Sequence, residues 1–151
     1  PSASSAASDV YKRQDYMCLD GTIPVNKLPY VLKCIGEMSK TYGLSVANVF
    51  HAGDGNMHPL ILYDANKPGE LTKCEEFGAE ILRLCVEVGG CLTGEHGVGI
   101  EKRELMDYQF TADDIDAQLR IKDVFDSKWL LNPLKVFPLH HTEARRMAFN
   151  C

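Results

Sequence analysis

The amino-acid sequence predicts an α+β fold: an antiparallel sheet with helices on one face, plus a C-terminal helical segment. Two runs rich in apolar and β-branched residues, 44–50 and 58–64, flank a polar loop and indicate a hairpin. Stretches with helical spacing of apolar residues, 27–42 and 70–88, lie on either side of it. With short extended pieces before and after them, the order is strand, helix, hairpin, helix, strand, which is similar to a ferredoxin-like layer.

The two helices around the hairpin are predicted from apolar stripes that recur every three or four residues. Gly43 closes the helix over 27–42, and Gly89 with Gly90 stops the helix over 70–88. The stripe residues are Leu28, Val31, Leu32, Ile35, Met38 and Tyr42 in the first, and Leu71, Cys74, Phe77, Ile81, Cys85 and Val88 in the second. Each helix can therefore bury one face against the sheet.

The C-terminal part of the sequence predicts a brief charged helix near residue 103, followed by a longer one. Thr111 with Asp114 three residues later resembles a capping box. Pro133 and Pro138 in the run WLLNPLKVFP cannot continue that helix. Its expected inward residues are Ile115, Leu119, Val124 and Phe125.

We interpret the chain as one domain over residues 15–138 with two flanking segments. The stretch 1–14 is rich in Ser and Ala, has no apolar core of a signal peptide, and is expected to be a flexible or non-native leader. The stretch 139–151 is expected to be a polar tail. On this interpretation, the chain is a fragment whose N-terminal partner sequence lies outside it.

Composition excludes several classes of function. The 151 residues carry a formal net charge of -5 with acids and bases interspersed, so there is no basic face for nucleic acid. No apolar run approaches the roughly 18 residues that a membrane span needs, which argues against membrane insertion. Six cysteines without a Cys-x-x-Cys pair indicate reduced packing residues of a cytoplasmic protein.

The polar loop of the hairpin carries the first candidate site. His51 closes one expected strand and His58 opens the other, so both imidazoles can point into the same space. Between them, Gly53 and Gly55 permit left-handed turns, and the side chain of Asp54 or Asn56 can tie the backbone of the loop. Such a hairpin can preset two metal ligands.

A second glycine-rich loop, TGEHGVG, adds a carboxylate and another imidazole. Two histidines and Glu95 would leave open coordination positions on a divalent ion, where substrate or water can bind. Neighbours on an extended backbone point in opposite directions, so we expect Glu95 and His96 to divide the roles of ligand and base.

The alternative is that these histidines are merely solvated or locally hydrogen-bonded, which is the commoner state of a lone histidine at a strand end. The two loops taken together favour a site over this alternative. For His140 and His141, which lie in the expected polar tail, an incidental or structural role is the preferred interpretation.

Four motifs over roughly residues 16–138 resemble one family. They are CLDGTIP, NVFHAGDGNMHPLILYD, LCVEVGGCLTGEHGVGIEKRELM and LLNPLKVFP, and they occur in this family's order. The chain resembles the C-terminal half of FAD-linked 2-hydroxy-acid oxidases and dehydrogenases of the vanillyl-alcohol-oxidase type.

The resemblance implies a flavoenzyme in which an N-terminal domain holds FAD and this α+β cap domain supplies the substrate side. It implies that His51, His58 and Glu95 bind a divalent metal, expected to be zinc, and that His96 is the catalytic base. It also implies that Asn132 lies near the flavin as a cofactor-binding residue.

The implied reaction is oxidation of a small 2-hydroxy acid by hydride transfer to flavin, with glycolate as the expected substrate. D-lactate and D-2-hydroxyglutarate are the alternatives, as is a non-catalytic module that binds metal or contacts subunits. The implied partners are the chain's own FAD domain and further subunits, including an iron-sulfur subunit, with peripheral association with the inner membrane through them. The fragment alone is expected to be inactive.

Two positions depart from the family's pattern. Relatives often have arginine after TIP, where this chain has Val25, Asn26 and Lys27, and often have glycine at the position of Leu134. Lys27 can supply the positive charge that arginine has in those relatives.

Overall fold

The computed structural model describes residues 15–51 and 53–147. The expected leader, residues 1–14, therefore lies outside the described residues. The chain divides into two compact units, residues 1–94 and 95–151.

The first unit contains a small antiparallel sheet built around its longest strand. The strands are β1 (Asp15–Cys18), β2 (Gly21–Thr22), β3 (Val46–His51) and β4 (Asn56–Tyr63). β4 pairs with β1 and β2 along one edge and with β3 along the other. The antiparallel sheet predicted from the sequence is confirmed.

β1 and β2 pair with β4 in a single register. Asp15 lies opposite Tyr63 at one end, and Thr22 lies opposite Asn56 at the other. The amide of Leu19 also donates to the carbonyl of Pro59 at 3.0 Å, so the pairing continues between the two short strands. The same register places Asp20 across from His58.

Two helices of the first unit are α1 (Leu28–Tyr42) and α2 (Glu70–Glu87). Their fully buried side chains, such as Ile35 and Phe77, join Ile61 of the sheet in one core cluster. The ring of Tyr42 stacks on that of Phe77 with centroids 5.0 Å apart. The predicted helices are confirmed, and most of their apolar stripe packs toward the core. Leu71 is the exception, since it lies in the first turn of α2 and is 44% exposed.

The hairpin strands extend further toward the loop than the sequence predicts. β3 ends at His51 and β4 begins at Asn56, so both histidines lie inside paired strands. The turn closes with the amides of Asp54 and Gly55 donating to the carbonyl of His51 at 3.0 and 3.1 Å. Beyond α2, Cys91 forms an isolated bridge with Thr22 in place of the expected last strand.

The second unit is helical in its described part. It contains a 3₁₀ turn (Arg103–Leu105) and the helices α3 (Met106–Gln109), α4 (Ala112–Phe125) and α5 (Leu139–Met147). The predicted capping box is present, since the Thr111 hydroxyl accepts from the amide of Asp114, whose carboxylate accepts from the amide of Thr111.

Part of the predicted inward face of α4 is wrong. Ile115 and Leu119 are buried, but Val124 and Phe125 are 78% and 82% exposed. At 3.6 residues per turn, Val124 lies half a turn around the helix from Ile115, and Phe125 lies beside it rather than on the buried stripe. Apolar character alone therefore wrongly predicted that the last turn of α4 is buried.

The expected polar tail is helical over Leu139–Met147, where Pro138 is buried and Thr142 bonds the carbonyl of Leu139 at 2.9 Å. The other residues of the tail, 148–151, lie outside the described residues.

The cysteines fit the predicted packing role only in part. Cys74 and Cys85 are buried, whereas Cys91 is exposed. Burial raises the pKa of the Cys74 thiol to about 11. Of the helices searched in the described part of the chain, none is long and apolar enough to cross a membrane.

Candidate functional site

The two hairpin histidines lie on the same face of the sheet. In the β3–β4 register, Val49 is opposite His58 and His51 is opposite Asn56, so the histidines are diagonal rather than direct neighbours. Their ring centroids are 5.4 Å apart and their planes are nearly perpendicular, at 89°. The prediction that the hairpin brings these imidazoles together is confirmed.

His58 is held in a defined tautomer by the backbone of the neighbouring strand. Its Nδ1 lies 3.1 Å from the carbonyl oxygen of Leu19, and a carbonyl can only accept. The neutral ring therefore carries its proton on Nδ1 and its lone pair on Nε2. Since His58 is only 8% exposed, the strand presents one fixed nitrogen as a ligand atom.

Asp20 is a buried carboxylate beside His58 that the sequence analysis missed. It is fully buried, and its Oδ1 lies 4.0 Å from Nδ1 of His58. Its Oδ2 accepts from the hydroxyl of Thr93 at 2.6 Å and from the amide of Gly94 at 2.9 Å. The CLDG motif shows an aspartate between two short extended pieces, but only the strand register places it across from His58.

Asn56, one of the two residues that could tie the loop, has its side chain beside His58 instead. Its side-chain amide nitrogen lies 3.5 Å from Nε2 of His58. Its Oδ1 is buried, and within the described part of the chain it has no hydrogen-bond partner. A buried amide oxygen without a partner is costly and indicates that a further group completes the site.

Glu95 and His96 open the second unit. Both are exposed, and Nε2 of His96 lies 3.8 Å from a carboxylate oxygen of Glu95. The backbone bends here, so the two side chains are close instead of pointing apart as expected for an extended segment. The convergence of Glu95 with the two histidines stays a prediction, as does the division of roles.

Asn132 lies in the loop between α4 and α5. It is exposed and adopts a left-handed backbone conformation, with φ of 44°. Asparagine tolerates this conformation better than most residues. Its role toward a flavin stays a prediction.

The residues of the first unit fit a divalent metal. A fixed imidazole Nε2, a second imidazole and the unpartnered amide oxygen of Asn56 provide nitrogen and oxygen donors on one face. This donor set suits borderline ions such as zinc. The hydrogen bond from His58 to Leu19 supplies the support that metal-binding histidines usually have.

Comparison with known proteins agrees with the motifs. The family model described as "FAD linked oxidases, C-terminal domain" matches residues 4–136. The glycolate oxidase subunit GlcD of Escherichia coli strain K12 is 58% identical over 127 residues, which are 84% of this chain and 26% of that protein. The resemblance inferred from the motifs is confirmed.

Two further relatives share fewer identical residues with this chain. The glycolate oxidase subunit GlcD of Bacillus subtilis strain 168 is 36% identical over 118 residues, which are 78% of this chain and 25% of that protein. The mitochondrial D-lactate dehydrogenase (cytochrome) of Kluyveromyces lactis is 32% identical over 120 residues, which are 80% and 20% of the two chains. The chain thus spans at most about a quarter of these relatives. It belongs to the family of FAD linked oxidases and corresponds to their C-terminal domain.

Proposed function

We propose that this chain is the substrate-side domain of an FAD-dependent oxidoreductase that oxidises a small 2-hydroxy acid, with glycolate as the favoured substrate. The observation that carries the proposal is the pair of histidines on one sheet face, with Nε2 of His58 presented as a ligand atom. The similarity to two proteins named as glycolate oxidase subunits supports glycolate.

The proposed metal ligands are His51, His58 and Glu95, with zinc as the favoured ion. Chain continuity supports the inclusion of Glu95, because it directly follows Gly94, whose amide donates to Asp20 beside His58. A metal held there supplies a Lewis acid that makes a bound hydroxyl easier to deprotonate. Asp20 and the carbonyl of Leu19 fix the orientation of the His58 ring.

His96 is the proposed base. It would accept the proton of the substrate hydroxyl, for which its imidazole must be neutral. Bound FAD supplies the acceptor of the hydride, and Asn132 is proposed to lie near it. Most of the contacts to FAD would come from an N-terminal domain, so the chain by itself should neither hold FAD tightly nor oxidise glycolate.

A chimeric enzyme tests this proposal. Residues 15–138 would replace the matching quarter of the Escherichia coli relative, and flavin reduction by glycolate would be followed by stopped-flow absorbance. We expect glycolate to reduce the flavin, and His96→Asn to slow that step by about 10²- to 10⁴-fold with metal content retained. His51→Asn or His58→Asn should lose metal first and activity as a consequence.

Asp113→Asn is the control, since it changes an exposed side chain of the grafted segment outside the proposed machinery and should leave flavin reduction unchanged. A chimera that binds FAD and metal but is not reduced by glycolate would contradict the substrate assignment. D-lactate is the second candidate, favoured by the relatives named as D-lactate dehydrogenases. A higher kcat/KM for D-lactate than for glycolate in the chimera would select it.

The proposal also includes partner subunits, because two of the relatives are named as subunits. The inclusion of an iron-sulfur subunit among them rests on the family resemblance alone. A cytoplasmic location, with peripheral association with the inner membrane through those subunits, belongs to the same proposal. Affinity purification of the complete protein from its own cells, with and without detergent, would test both. Recovery as a lone polypeptide in the soluble fraction would contradict the subunit assignment.

A further inference from the structure

The second unit contains a cluster of potential metal ligands that the proposed reaction does not use. Nε2 of His141 lies 2.8 Å from one carboxylate oxygen of Asp107, and Nε2 of His140 lies 3.2 Å from the other. One ligand atom from each of the three residues lies within 4.8 Å of the others. We propose that Asp107, His140 and His141 form a second divalent-metal site, of the zinc class, that fastens α5 to α3.

The distances suit a tetrahedral ion. Zinc binds histidine nitrogen and carboxylate oxygen at roughly 2.0–2.2 Å, which puts neighbouring ligand atoms about 3.3 Å apart. Each histidine nitrogen lies within about half an ångström of that spacing from a different carboxylate oxygen of Asp107. Two imidazoles and a carboxylate leave at least one position for water, which exposure of these side chains permits.

The adjacent histidines are positioned by the start of α5. Residues next to each other on a helix usually project about 100° apart. Here the ring centroids of His140 and His141 are 4.3 Å apart, and the ring planes are tilted by 39°. Both rings contact the carboxylate of Asp107. The buried Pro138 precedes them and its carbonyl accepts from the amide of His141 at 3.2 Å, which holds the first turn in place.

Both elements that carry the ligands are anchored independently of them. Asp107 follows the buried pair Leu105 and Met106 on α3. Near the other end of α5, Arg145 donates to Asp116 at 2.8 Å and to Asp123 at 3.0 Å, both on α4. A site whose ligands are held before binding loses little conformational entropy when the ion enters.

The experiment is a zinc titration of the full chain by isothermal calorimetry, with the exposed carboxylate change Asp113→Asn as a control for Asp107→Asn. We expect the number of bound Zn²⁺ equivalents to fall by one in Asp107→Asn and in His141→Asn, and to be unchanged in Asp113→Asn. Cobalt should report the same loss through its visible absorption. Because these changes lie outside the catalytic machinery, the stoichiometric loss is independent of the proposed function.

Thermal unfolding supplies a second readout. An ion that binds only the folded chain raises its Tm, so zinc should raise the Tm of wild-type protein more than that of Asp107→Asn, and a chelator should reverse the difference. An equal number of Zn²⁺ equivalents in wild type and in the double variant Asp107→Asn/His141→Asn would overturn the proposal. So would the absence of any zinc binding by the wild-type chain.

Discussion

Gly94 lies against the side-chain amide of Asn56 so closely that any larger residue at position 94 would collide with it. A Cβ placed on Gly94 would be 2.7 Å from Cγ of Asn56, and closer still to its oxygen. The same glycine donates its amide to Asp20. This position thus joins the loop before Glu95 to the two buried polar residues around His58.

Gly94→Ala is expected to destabilise the chain by about 1–3 kcal/mol, because the added methyl group must displace Asn56 or the loop. The free energy of unfolding, measured in urea, checks this. Gly53→Ala is the control, since a Cβ there meets nothing within 4 Å. If both changes cost the same, the contact with Asn56 does not limit position 94.

Leu134→Gly is expected to stabilise the protein. Leu134 has φ of 66°, in the left-handed region that glycine adopts without penalty. Glycine relieves the backbone strain but also gains conformational freedom in the unfolded chain. The net increase in the free energy of unfolding should be about 0.5–1 kcal/mol.

The matched control is Leu131→Gly, which changes an exposed leucine whose φ is not positive and should lower stability slightly. Thermal and urea unfolding of both variants test the sign. A loss of stability in Leu134→Gly would mean that contacts of the leucine side chain outweigh its backbone strain.

The capping box of α4 should make stability depend on acid pH. Hydrogen bonds from the side chain and amide of Thr111 hold the pKa of Asp114 below its ordinary value. A lowered folded pKa adds stability above the unfolded value of about 3.9, and that stability is lost as the pH falls through the folded pKa.

The measurement is urea unfolding across pH 2 to 7, a range that brackets the ordinary carboxyl pKa of about 4. Asp114→Asn should be less stable than wild type at neutral pH, and the difference should shrink below pH of about 4. A difference that stays constant across this range would show that the Asp114 charge is not the cause.

The two faces of α4 predict opposite mutational outcomes. Ile115→Ala removes a fully buried side chain and should cost about 2–5 kcal/mol. Phe125→Ser removes an 82% exposed ring and should change stability by less than about 0.5 kcal/mol, while reducing self-association. Calorimetry would measure the stability of both variants, and light scattering would measure self-association. A large loss of stability in Phe125→Ser would mean that the ring is buried in a core.

Most of the first unit could be predicted from periodicity, because its helices and hairpin are amphipathic and bury those same faces. His51 and His58 were found since they lie in one hairpin, which fixes their proximity locally. Asp20 was missed because its partner, His58, is 38 positions away in the sequence, and only the strand register reveals that they face each other.

The structure of the second unit was harder to predict from the sequence, because polar side chains rather than apolar stripes fix parts of it. Trp129 follows α4, is 9% exposed and donates its indole NH to Asp123 at 2.6 Å. Asp126 ends the helix by accepting from the amides of Leu130 and Leu131 at 2.9 and 3.0 Å. Such side-chain to backbone bonds leave no periodic pattern in the sequence.

The central position of β4 implies that the two hairpin histidines differ in mobility. β4 is hydrogen-bonded on both edges, so its amides should exchange with deuterium most slowly, whereas β3, at an edge of the described sheet, should open more often. His58 is therefore the fixed half of the pair. His51, at the end of the edge strand, is the half whose backbone we expect to exchange sooner.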